Sequence, residues 1–78
     1  MIEVGKKYVS RAGNVVHIVE KDIVNDDQNI PMKIFRGYFQ QTAKGQENLR
    51  GKIHKFFDDG RWYSYPGGVH DLMKELGA

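Results

Sequence analysis

Seventy-eight residues, 40% of them hydrophobic and 28% charged with a formal net charge of +2, exclude a multidomain protein, a disordered chain and a strongly basic nucleic-acid coat. The absence of cysteine excludes disulfide staples and thiolate metal sites, a composition that suits a reducing cytosol. No run has the length of a membrane span, and Met1–Lys7 has no apolar stretch behind its lysines, so neither an anchor nor a signal peptide is expected.

The predicted elements are short β-runs separated by turn signals. Lys7–Arg11 is the first. Ala12-Gly13-Asn14 follows, with residues that take positive φ at low cost, and Val15–Glu20 is a second, β-branched run, so the pair predicts a hairpin. Lys21–Pro31 contains the polar stretch Asn25-Asp26-Asp27-Gln28-Asn29 and reads as an exposed connection. A third run spans about Met32–Gln41, Thr42–Asn48 is a loop, and a fourth run spans Leu49–Phe57. Asp58-Asp59-Gly60 is a compact hairpin turn before a fifth run, Arg61–Tyr65. Pro66-Gly67-Gly68 ends the strand pattern. Val69, Leu72, Met73 and Leu76 then fall at i, i+3, i+4 and i+7, which predicts a helix over Val69–Leu76 with Gly77 as its stop.

The expected fold is mainly β with a C-terminal α-helix: one domain over residues 1–78, a five-stranded antiparallel meander, strongly bent or closed as a small SH3-like barrel. One feature strains that picture. Ile34 and Tyr38 point to one side of their strand, while Phe35 and Phe39 point to the other. Both faces therefore need cover, from curling of the sheet or from a second copy in a homodimer. Trp62, just beyond a tight turn, is expected in the core or at its rim, under the helix against Leu72 and Met73.

The three histidines, His17, His54 and His70, have no metal-ligand spacing and read as strand and helix residues ahead of a metal or acid–base set. Asp26-Asp27 and Asp58-Asp59-Gly60 lack the alternation and distal Glu of a calcium loop and read as turns. Ser10 and Ser64 are not on a glycine-flanked elbow, and no phosphate-binding loop occurs; Gly67-Gly68 reads as a turn ahead of an anion site. The chain is thus expected not to be an enzyme, to need no cofactor and to hold no metal. Cations (Arg11, Lys33, Arg36, Arg50, Lys52, Lys55, Arg61) are interleaved with Tyr8, Tyr38, Trp62, Tyr63 and Tyr65. A curved sheet carrying such residues binds a macromolecular partner, and the candidate binding residues are Arg11, Arg36, Tyr38, Lys52, Arg61 and Tyr63.

Tyr8-Val9-Ser10-Arg11-Ala12-Gly13-Asn14-Val15-Val16-His17-Ile18 resembles the opening pattern Tyr-x-Thr/Ser-Arg-Asp-Gly-Arg-x-Val-x-Ile of small proteins encoded by tailed bacteriophages and prophages. Phe57-Asp58-Asp59-Gly60-Arg61-Trp62 is similar to their second Asp-Gly-Arg hairpin, and His70-Asp71-Leu72-Met73 to their closing Asp-Leu element. These matches touch about half of the chain in the expected order. Ala12 stands where Asp is usual and Asn14 where Arg is usual, so no ligand role carries over to the first turn. The resemblance implies a small accessory protein in a bacterial cytoplasm, binding a host protein, a nucleic acid or a signalling metabolite. The functional expectation is a non-enzymatic phage or prophage interaction protein that binds a host macromolecule through its curved sheet. The alternative is a small barrel binding single-stranded nucleic acid, with a metal-dependent hydrolase using His17 or His54 behind both.

Overall fold

The computed structural model describes residues 2–63 and 68–77. They form five strands, β1 (Lys7–Ser10), β2 (Val15–Asn25), β3 (Pro31–Gln41), β4 (Ile53–Phe57) and β5 (Leu72–Glu75), with a 3-10 turn at Glu47–Leu49. All pairings are antiparallel and the sheet order is β4-β3-β2-β1-β5.

The first hairpin turns where its sequence permits. Gly13 takes φ +93°, its N–H donates to the Ser10 carbonyl, and Ser10 N–H donates to the Asn14 carbonyl at 2.9 Å. Asn14 is fully buried, and its Oδ1 accepts the Ala43 N–H at 2.8 Å, so this turn is fastened to the loop after β3.

β2 and β3 are much longer than their neighbours. β2 enters with Val16 and Ile18 facing the core, and a β-bulge between Ile18 and Glu20 then shifts the alternation by one residue. Beyond it, Lys21 and Ile23 share the inner face with Phe35 and Lys33, while Glu20, Asp22 and Val24 lie outside with Arg36, Ile34 and Met32. β1 pairs with β2 only over Val15–His17, and β4 reaches β3 only as far as Ile34. The far half of the β2–β3 hairpin is therefore a two-stranded arm. The connection expected over Lys21–Pro31 is mostly strand, with the turn confined to residues 26–30.

The core gathers Ile2, Tyr8, Val16, Ile18, Phe35, Phe39, Leu49, Phe56 and Leu72 on the inner face. At its centre Gly37 leaves room that side chains occupy: a Cβ there would stand 2.4 Å from Val16 Cγ1 and 2.8 Å from the Phe56 ring. Ile34, only 3% exposed, lies outside this cluster on the other face, between its cross-strand neighbours Asp22 and Phe57. Both faces do carry apolar residues, as the strand patterning required.

Several expectations are corrected. Residues 69–76 do not form a helix; Leu72–Glu75 is β5, laid along the free edge of β1 with Tyr8 opposite Glu75 and Val9 opposite Lys74. The open edge of a four-residue strand supplies hydrogen-bond partners that a helix this short cannot match by its own internal bonds. Of the run expected over Arg61–Tyr65, Trp62 makes one isolated bridge to Phe56, and Ser64 and Tyr65, like Pro66 and Gly67 of the expected break, lie outside the described residues. The fourth strand starts at Ile53 rather than Leu49, because Glu47–Leu49 winds into the 3-10 turn. The order is also not a simple meander, since β5 crosses to the far side of β1. The sheet curls until Leu72 N–H reaches the Gly60 carbonyl at 2.8 Å, yet no ladder joins β4 to β5: of the two expected forms, strongly bent or closed as a barrel, the sheet is not closed.

Candidate binding face

The outer face of β2, β3 and β4 is laid out by register. His17, Tyr38 and Ile53 form one row across the three strands, Glu20, Arg36 and Lys55 the next, and Asp22, Ile34 and Phe57 the third. The tight Asp58-Asp59-Gly60 turn folds the following residues back onto this face. Phe57 N–H donates to the Arg61 carbonyl at 2.8 Å, and Gly60 takes φ +92°. Tyr63 N–H then donates to the Lys55 carbonyl at 3.0 Å, which places the Tyr63 ring 5.1 Å from that of Phe57. The Arg61 guanidinium lies 5.1 Å from the Phe57 centroid, and Lys55 Nζ 5.8 Å from that of Tyr63.

Most of the charge on this face is internally matched. Arg36 Nη1 donates to both Glu20 and Asp22, and those hydrogen bonds and carboxylates raise its pKa further. Arg61 Nε donates to Asp59 Oδ2 at 2.7 Å. Lys55 has no ion pair among the described residues. The exposed apolar and aromatic groups include Tyr38, Ile53, Val24 and Tyr63.

Of the six residues expected to bind, the structure brings Arg36, Tyr38, Arg61 and Tyr63 together here. The other two are elsewhere. Lys52 lies in the turn before β4, its carbonyl accepting Phe39 N–H at 2.9 Å and its charge felt by His54 on the inner side. Arg11 sits in the first hairpin turn, its N–H donating to the Asp71 carbonyl. Ile53 and Phe57 complete the face and were not among the expected residues. The alternation Ile53, Lys55, Phe57 is the signal that marks them.

A second cluster lies at the inner edge. Phe39, His54, Trp62 and His70 meet edge to face: centroids are 5.4 Å apart for Phe39 and His54, 5.3 Å for His54 and Trp62, and 4.2 Å for Trp62 and His70. Trp62 packs against the core as expected, but its ring partners are these histidines, and Met73 is exposed. Burial lowers the pKa of His54, helped by the charges of His70 and Lys52, and burial lowers that of His70 against the pull of Asp71. His17 is far round the sheet, paired with Lys7 and Tyr38. Among the described residues no group of three His, Cys, Asp or Glu side chains is placed to hold a metal ion, and no helix is long and apolar enough to cross a membrane.

Comparison with protein-family models, with curated proteins and with solved structures finds no match.

Proposed function

We propose that the chain is a non-enzymatic interaction protein of phage or prophage origin that binds a bacterial host protein, in the cytoplasm, through the outer face of β2, β3 and β4. The order of the three short motifs supports the origin. The curled sheet, bent at its bulges until Leu72 meets Gly60, is read as an opened small barrel of the SH3-like kind.

One observation carries the choice of partner. Arg36 and Arg61, the two arginines of the face, are already bound by Glu20, Asp22 and Asp59. A surface that tracks phosphates needs a row of unpaired cations beside its stacking rings, and on this face Lys55 alone of the lysines and arginines has no ion pair among the described residues. A near-neutral patch of Tyr38, Ile53 and Tyr63, with its arginines already neutralised, matches the core and rim of a protein interface.

The test is capture of partners from bacterial lysate on the tagged chain, with and without nuclease, beside the double variant Tyr38→Ala/Ile53→Ser. The expected result is a protein retained after nuclease treatment and lost with the double variant. A partner stripped by nuclease, or an affinity falling steeply with salt, would replace this reading with the single-strand nucleic-acid one.

A further inference from the structure

The β2–β3 arm projects beyond both neighbouring strands and carries its charge in order along its length. On its inner face Lys21 stands beside Phe35, and Ile23 beside Lys33 one step further out. Neither lysine has an ion-pair partner among the described residues. Ile23 is 64% exposed, an unusual position for isoleucine in a regular strand. At the base of the arm these residues border an open groove of about 690 Å³, lined by Ile2, Glu3, Val4, Lys21, Lys33 and Phe35. Glu3 is engaged by Lys6 at 3.3 Å, which leaves the groove cationic over an apolar floor.

The tip carries the opposite sign. Asp26 builds the turn: its Oδ1 accepts the N–H groups of Gln28 and Ile30 at 2.9 Å, and Asn25 Nδ2 donates to Asn29 Oδ1 at 2.9 Å. Asp27 takes no part in that network, and Ile30 beside it is exposed. The tip is thus a preformed knob with an apolar residue and an unengaged carboxylate.

We propose that two copies of this chain pair about a two-fold axis, their arms crossing tip to base. Asp27 and Ile30 of each copy then enter the groove of the other at Lys21 and Lys33, and the inner faces of the two arms, Ile23 included, lie against one another. The symmetry makes the geometry undemanding. Whatever the distance from tip to groove, it is equal in both copies, so two antiparallel arms satisfy both contacts at once. The pairing covers Val4, Ile23 and Ile30, which the single chain leaves in water. It uses the inner face of the arm and stands independently of the partner face proposed above.

Sedimentation velocity over a range of concentrations tests it, with charge exchange between copies. The wild-type chain sediments at dimer mass. Lys21→Glu/Lys33→Glu loses the groove charge, and Asp27→Lys loses the tip charge; each variant alone dissociates at least about tenfold more readily, with an unchanged far-UV spectrum. Mixed together, the two variants pair again, because one contact is native and the other is reversed in both partners. A wild-type chain of monomer mass at high micromolar concentration overturns the proposal. So does a mixture of the variants that remains monomeric while the wild type is dimeric. Neither result bears on capture of a host protein by Tyr38 and Ile53.

Discussion

The Trp62 ring stands edge-on to the His70 imidazole with centroids 4.2 Å apart, and neither Trp62 Nε1 nor His70 Nδ1 has a hydrogen-bond partner among the described residues. His54 Nε2, on the other side of the same indole, is also unpartnered. Three buried polar atoms thus share one site without a partner among the described residues, a cost the aromatic contacts help to offset.

That site makes stability depend on pH. Both imidazoles are held below their ordinary value of 6.5, so the unfolded chain takes up protons before the folded one does. The contribution is fully present above that value and is lost as pH falls through it towards the lower folded values. Thermal melts from about pH 8 to about pH 5 should show a falling midpoint. His54→Gln/His70→Gln should flatten that dependence; an equally steep fall in the double variant would show that carboxylates, not these imidazoles, cause it.

Trp62→Ala opens a cavity against Phe39, His54 and His70 and should cost about 3 kcal/mol, a large share of the stability of so small a domain. Trp62→Phe keeps most of the ring area and removes the unpartnered Nε1, and should cost less than half as much. Equilibrium urea unfolding measures both. A Trp62→Ala midpoint equal to that of the wild type would place the ring outside the core.

Two glycines should resist substitution for different reasons. Gly37→Ala meets Val16 and Phe56, both fully buried and unable to retreat, and should cost about 2–3 kcal/mol. Gly60→Ala is strained by φ +92° and brings its Cβ within 2.9 Å of the Leu72 carbonyl oxygen. Its effect should be local: faster amide exchange at Leu72 and along β5, while β2 and β3 keep their protection. Uniform loss of protection across all strands would contradict a local role.

Asn14→Ala removes the buried acceptor of the half-buried Ala43 N–H and should cost about 1–3 kcal/mol. The side chain is fully buried and fastens the first turn to the loop after β3. A variant that unfolds at the wild-type denaturant concentration would show that water replaces the amide without loss.

The hairpin signals were legible because turn chemistry is local: Gly13 and Gly60 turn where Ala12-Gly13-Asn14 and Asp58-Asp59-Gly60 require it. The arm was hidden by the bulge at Ile18 and Glu20. One extra residue changes which face Ile23 shares, and a period-two reading carried through it loses phase. Residues 69–76 satisfied a helical spacing, and the spacing was accidental. What decided the outcome was the bare edge of β1, a non-local fact that no window of the sequence contains. On the binding face, the cations of β3 and β4 were visible, but their neutralisation was not. Arg36 meets Glu20 and Asp22 only because the shifted register sets them side by side.

The crossing of β5 to β1 also orders events in time. Ser10 and Leu72 are roughly sixty residues apart in the chain, the longest closure in the sheet, whereas β1 to β4 pair through successive neighbours. During synthesis the edge of β1 is exposed as soon as the first hairpin forms and stays so until the last strand has left the ribosome. For that interval the nascent chain carries a vacant strand position next to β1. Any extended segment that reaches it first, in the same chain or in another, competes with Leu72–Glu75 for the place.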